Sequence, residues 1–189
     1  MARIKDGKKP AQIIEAAFSV FGETGYDATL IADIARRAGI SSGTIYTYFK
    51  DKKELFRETV QEGWNRFLAQ IRELVESKEP TKARLERFID IGFGSLTHYL
   101  PLLRGMLFES RQMNMLEGNL EQFCGLVERL LSGQRKGLLT RGVDSEHRRA
   151  LIKVTVLGVL FSAALAEPSQ VDAEIDTLRR MIAHRLSGG

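Results

Sequence analysis

Ser42, Gly43, Thr44, Tyr46, Thr47 and Tyr48 form a short run of small, hydroxyl-bearing and aromatic residues with few charges. Hydroxyls of this kind donate to phosphate oxygens, a glycine lets backbone approach a surface, and tyrosine rings can rest on thymine methyls. An ordinary solvated helix face would instead carry many Lys and Glu. The run is followed by KDKKELF, in which Asp51 and Glu54 make a capping-box-like pair that opens a new helix with Lys52 in its first turn. A helix N-terminus beside a lysine is suited to holding a phosphate. The spacing therefore points to duplex DNA, while a plain helical hairpin with a polar exterior remains open at this level.

Other chemistry is thinly represented. A di-metal carboxylate site in a helical bundle needs Glu-x-x-His pairs, and His98, His147 and His184 have no Glu three residues before them. No phosphate-binding glycine loop or nucleophile elbow occurs, so neither a catalytic site, a metal site nor a cofactor is expected. The single cysteine, Cys124, excludes an internal disulfide framework and a Cys-rich zinc cluster, reads as a small buried hydrophobe, and suits a reducing cytosol. A formal net charge of +4 permits a polyanionic partner without demanding one. The basic N-terminus has no apolar core of signal-peptide length behind it, and the longest nearly uncharged apolar run, Val154 to Ala166, falls short of the roughly 20 residues of a bilayer-spanning helix. A cytoplasmic protein without a membrane span is the expectation.

The elements that must position these residues are helices throughout. Ile14, Ala17, Phe18 and Phe21 recur at helical spacing, no convincing alternating strand appears, and breaks at 22–25, 39, 50–51, 77–81, 101, 137–144 and 168 imply an all-α chain of about nine helices. Within residues 29–49 two short helices meet at a tight turn. Thr29 can cap the first, whose Ile31, Ile34, Ala35 and Ala38 share a side, with Ala35 small enough for a close crossing. Gly39 falls where that helix must stop in a left-handed conformation, Ile40 points back to the core, and Ser41 can cap the second helix, anchored by Ile45 and Phe49.

The stretch from Ile13 to Phe56 resembles the N-terminal domain of the TetR family of bacterial transcriptional regulators. The likeness is carried by an apolar first helix ending in Phe21, Gly25-Tyr26, Thr29, Ile34-Ala35, Ala38-Gly39-Ile40, Gly43-Thr44-Ile45-Tyr46, Tyr48-Phe49 and Lys52. The resemblance implies a three-helix helix-turn-helix domain (1–55), a larger helical effector-binding and dimerisation domain (56–189), and a homodimer that binds a palindromic operator as a ligand-responsive regulator, most readily a repressor. By matching position it implies that Ser42, Gly43, Thr47 and Tyr48 face bases or line the groove, and that Thr29, Thr44, Tyr46 and Lys52 hold phosphates. The first reading helix offers Ala32 and Asp33 outward, with Arg36 and Arg37 only at its end, and the recognition helix has no arginine for bidentate guanine reading. Methyl, shape and water-mediated readout is therefore expected. The basic arm with Arg3, Lys5, Lys8 and Lys9 could follow the minor groove or be a solvated tail. A helical protein-binding adaptor that uses Tyr46 and Tyr48 as contact residues is the alternative function.

From about Trp64 onward the sequence is less explicit. Phe67, Ile71, Leu74 and Val75 continue a long amphipathic helix, a mechanical link between domains. Phe88, Ile91, His98, Tyr99, Leu102, Met106 and Phe123 are the candidate walls of a pocket for a small apolar or amphipathic effector, or else simply fill a helical core. The run LIKVTVLGVLFSAALAE is apolar around nearly its whole circumference and must be covered on more than one side. Its stripe Leu151, Thr155, Gly158, Phe161, Ser162 and Leu165, with Ile175, Leu178 and Ile182 from a final helix, is where the resemblance puts a four-helix dimer interface; wholly intramolecular burial is the alternative.

Overall fold

The computed structural model describes residues 8–107, 113–131 and 144–166, together with the single positions 170, 173, 176, 177 and 180. All regular structure among them is helical: α1 (Lys9–Ala28), α2 (Ile31–Arg37), α3 (Ser42–Tyr48), α4 (Lys52–Glu76), α5 (Thr81–Leu107), α6 (Met113–Leu131) and α7 (Ser145–Leu165). The described residues thus contain seven helices. Ile175, Leu178 and Ile182 of the expected final helix, and Arg3 and Lys5 of the arm, lie outside the described residues.

α1 starts with Pro10 in its first turn, where a missing N–H costs nothing, and buries Ile13, Ala16, Ala17, Phe18, Val20 and Phe21. Its buried face is centred on Ile13, with Ile14 half-buried beside it. The helix does not end at Gly22; it runs on to a kink at Gly25, whose φ of 77° is open to glycine at little cost. A break was also expected at Pro101, and α5 instead continues through it to Leu107. A proline removes one backbone hydrogen bond inside a helix, a cost that burial can offset, and Leu96, Leu100 and Leu102 are all buried around this point.

One cluster of buried residues joins α1, α2, α3 and the start of α4 through Ile13, Ala17, Phe21, Ile34, Ala35, Ile45, Phe49, Leu55 and Phe56, and extends to Leu102 of α5 and Leu120 of α6. A second holds Leu68 and Ile71 of α4 against Phe123, Cys124, Leu126 and Val127 of α6 and Ile152 of α7. α4, with 25 residues and therefore about 37 Å long, contributes to both. It is the rod that runs from the first three helices into the second half of the bundle.

Candidate nucleic-acid interface and ligand cavity

The turn between α2 and α3 is built from backbone bonds that the sequence makes available. The Ala38 N–H donates to the Ile34 carbonyl and the Ile40 N–H to the Ala35 carbonyl, while Gly39 takes a φ of 65°. Ser41 Oγ then accepts from the Thr44 N–H at 3.2 Å and caps α3. Gln12 of α1 reaches across to donate to the Ala38 carbonyl at 2.8 Å, which fixes the turn against the first helix. With Ile45 and Phe49 buried beneath it, α3 has one face locked and the other turned outward.

On that outward face Tyr46 is 53% exposed, Gly43 and Thr47 are exposed, and Ser42, Thr44 and Tyr48 are half-buried. Thr47 Oγ1 donates to the Gly43 carbonyl at 3.1 Å, and Thr44 Oγ1 lies 3.0 Å from Ser41 Oγ. The Tyr48 ring packs onto the first cluster.

One expectation changes, and a second residue has a further role. Thr29 does not cap α2: it is 1% exposed, donates through Oγ1 to the Gly25 carbonyl at 2.6 Å, and lies 2.7 Å from Thr24 Oγ1. The N-cap position falls to Leu30, which has no side chain to offer a hydrogen bond and is 63% exposed instead. The buried hydroxyl is bonded within the α1–α2 turn and helps to position it. Lys52 is likewise engaged, donating through Nζ to the Asp27 carbonyl at 3.1 Å while its ammonium sits 4.6 Å from the Tyr26 ring centroid. It straps the end of α1 to the start of α4.

That start is capped by Asp51, whose Oδ1 accepts from the Glu54 N–H at 2.7 Å; the returning Glu54 carboxylate accepts from Lys50 N–H, one residue earlier than in a reciprocal capping box. The basic groups of α2 are paired. Arg36 bonds Asp33 at 2.6 Å, and Arg37 makes a two-pronged contact with Glu23 at 2.8 and 2.6 Å. The Arg37 hydrogen bond holds the Glu23 carboxyl below the ordinary carboxylate range. Sequence reasoning missed both pairings: Asp33 and Arg36 are three residues apart on α2, whereas Glu23 and Arg37 come together only when α1 and α2 cross.

The second feature is a partly open cavity of about 260 Å³ lined by α4, α5, α6 and α7, with a wall that is almost entirely hydrocarbon. Val60, Gly63, Trp64 and Phe67 line it from α4, Phe88, Leu96, Tyr99 and Leu102 from α5, Phe123 from α6, and Thr155, Val156, Val159 and Leu160 from α7. Trp64, Phe67, Phe123 and Phe88 form a continuous chain of ring contacts with centroids 5.5 to 6.0 Å apart. Of the residues singled out from the sequence, Phe88, Tyr99, Leu102 and Phe123 are in the wall. Ile91 is outside it, packed on the second cluster. His98 is exposed and stacks on Phe18 of α1, with centroids 5.1 Å apart. Met106 is part of α5, and its side chain is outside the description. Trp64, Phe67 and the α7 residues were missed as pocket walls because their apolar spacing reads equally well as core.

The outer stripe of α7 is apolar and exposed among the described residues. Leu151 is 51%, Phe161 45% and Leu165 77% exposed, with Thr155, Gly158 and Ser162 exposed between them. Val154, 70% exposed on the same stripe, was not anticipated. Thr155 borders both the stripe and the cavity. Among the described residues no helix is long and apolar enough to cross a membrane, and no group of three metal-ligating side chains gathers.

Residues 13–59 match the family model described as bacterial regulatory proteins, tetR family. The chain is 30% identical over 156 residues to the fatty acid metabolism regulator protein of Bacillus subtilis, spanning 78% of this chain and 79% of that one. It is 29% identical over 152 residues to the HTH-type transcriptional repressor KstR2 of Rhodococcus jostii, covering 75% and 72% of the two chains. Among solved structures it is similar to the regulator FadR from Bacillus subtilis in complex with stearoyl-CoA, with a TM-score of 0.66, 26% identity, and 95% and 98% of the two chains covered. With the helix-turn-helix geometry, the bundle behind it and these likenesses agreeing, the chain belongs to the tetR family of bacterial regulatory proteins.

Proposed function

We propose that the protein is a ligand-responsive transcriptional repressor that binds a palindromic operator as a homodimer through residues 1–55 and is released by a small amphipathic effector bound within residues 56–189. The observation that carries this reading is the outward face of α3, where exposed Tyr46, Gly43 and Thr47 sit on a helix whose other face is locked by Ile45 and Phe49. Rigid presentation of few charges and several hydroxyls suits a groove better than bulk water. Tyr46, Thr47, Gly43 and the Tyr48 edge serve as groove contacts, and Ser42 and Thr44 as phosphate donors. Lys52 contributes positive charge at the rim, and Thr29 acts behind them by fixing the turn.

The effector class follows from the cavity. A hydrocarbon wall offers no partner to a buried polar group, so an occupant must be apolar where it is enclosed, with any charged head outside. The stearoyl-CoA complex of the similar FadR structure supports a fatty-acyl thioester as that class. Dimerisation would use the exposed α7 stripe of Leu151, Thr155, Gly158, Phe161, Ser162 and Leu165, since a two-fold interface brings the same patch of both copies together. Two α3 helices would then enter successive major grooves roughly 34 Å apart.

Selection of bound duplexes from random sequence tests the reading. A palindrome with half-sites about one helical turn apart is expected, together with affinity that falls steeply with salt. Duplex binding that is absent or insensitive to salt would favour a protein-binding adaptor instead. Addition of stearoyl-CoA is expected to release the selected duplex.

A further inference from the structure

Gly63 lies in the middle of α4, a position where glycine is a poor helix former. A Cβ placed there would stand 3.2 Å from Tyr99 Cε1 and 3.3 Å from Phe18 Cε2, tighter than ordinary contact on both sides. The glycine thus marks the point where a ring from α5 and a ring from α1 close over α4. Those two rings meet edge to face, with centroids 5.1 Å apart at 87°.

The two partners differ in what else they touch. Tyr99 and Gly63 are walls of the cavity, whereas Phe18 is not. Phe18 is buried on α1, which shares its cluster with Ile34 and Ala35 of α2 and Ile45 of α3, and whose Gln12 holds the turn before α3. Arg66, beside the contact, bonds Glu15 of α1 at 2.7 Å and Glu62 of α4 at 2.9 Å, which limits sliding of α1 along α4. An occupant pressing on the cavity side of Tyr99 has close-packed atoms behind that ring, and such packing passes on displacement with little compression.

Building on the effector reading above, we propose that Phe18, Gly63 and Tyr99 form the contact through which filling of the cavity is felt by the DNA-reading helices: Tyr99 receives the push, Gly63 leaves the rings no slack, and Phe18 carries the displacement into α1. These are positioning residues. An effector gains leverage only by favouring the displaced arrangement, and removing a ring from the contact removes that preference without removing the cavity.

The test uses the full chain, stearoyl-CoA, and the duplex selected above. Trp64 is the only tryptophan of the sequence and lines the cavity, so its emission reports occupancy independently of DNA. In the unmodified protein stearoyl-CoA is expected to alter Trp64 emission and to weaken duplex binding by a factor of about 5 to 150, the usual range for coupled sites. Phe18→Leu should keep the emission midpoint within about twofold while that factor falls below about 3. A second arm needs no ligand. Gly63→Ala alone should weaken duplex binding by forcing the rings apart, and adding Phe18→Leu should restore it.

Equal release factors in Phe18→Leu and the unmodified protein, or additive losses in the double variant, would overturn the coupling. Unchanged Trp64 emission in the unmodified protein would discard the acyl-thioester class, and the ligand-free arm would still decide the coupling. Failure to select any duplex would sink the DNA-binding reading and the coupling with it.

Discussion

Lys52 shows how one side chain can be claimed by two kinds of explanation. A lysine at a helix start invites a phosphate, yet its ammonium already donates to the Asp27 carbonyl and sits over the Tyr26 ring. The two roles separate by experiment. Lys52→Ala should lower folding stability by about 0.5–1 kcal/mol, the size of an exposed cation–π contact. If the ammonium also neutralises a phosphate, the slope of log affinity against log salt should fall by about 0.9. An unchanged salt slope with reduced stability would make Lys52 a strap alone. Tyr46 is the cleaner contact residue because its exposed side chain has little to lose on truncation. Tyr46→Ala should weaken duplex binding by about 1–3 kcal/mol and leave the thermal midpoint within a degree or two, as checked by fluorescence anisotropy and calorimetry. A large fall in thermal midpoint would show that the ring belongs to the fold.

At the level of elements, helix ends do most of the positioning. The α2–α3 turn depends on Gly39 at φ 65°, where a side chain is strained even though the space around it is open. Gly39→Ala should cost about 1–2 kcal/mol of stability in chemical denaturation, and Gly39→Asn less, because asparagine tolerates the left-handed region. α7 begins at Asp144, which accepts from the His147 N–H at 2.9 Å and has the His147 ring 2.7 Å away. That backbone bond, followed by the ring contact, holds the Asp144 carboxyl below the usual aspartate value. The sign is that of a depressed acid: the cap is fully present above the ordinary aspartate range and is lost only as pH falls through the lower folded value. The amide shift of His147 followed by NMR should therefore titrate with a midpoint below that of a free aspartate. A midpoint at or above it would show that the cap is not formed in solution.

For the whole molecule the decisive quantity is the apolar surface that a single chain leaves in water. Leu151, Val154, Phe161 and Leu165 along one side of α7 are the kind of contiguous patch that marks an interface. Burying it against a second copy would offset the loss of translational freedom, and a charge within it would reduce that gain. If the stripe joins two copies as proposed, Leu165→Glu should leave a monomer in sedimentation velocity and weaken operator binding more than tenfold, since two linked half-sites bind far more tightly than one. A variant that sediments and binds like the unmodified protein would mean that the stripe is not the interface.

Local spacing was enough to read the helical class, the α2–α3 turn, the Ser41 and Asp51 caps and the outward face of α3, since each depends on residues within a few positions of one another. Gly39, for instance, is legible because only a left-handed residue lets the Ile40 N–H reach the Ala35 carbonyl. Tertiary structure decided the rest. It withdrew Thr29 from the surface, paired Arg37 with Glu23, put His98 outside the cavity wall, carried α5 through Pro101, and set Tyr99 against Phe18. Apolar residues at helical spacing announce burial but not what they are buried against, and a hydrophobe lining a cavity has the same sequence signature as one filling a core. Those distinctions arise only where helices distant in sequence cross, and there the competition between packing, hydrogen bonding and water is settled.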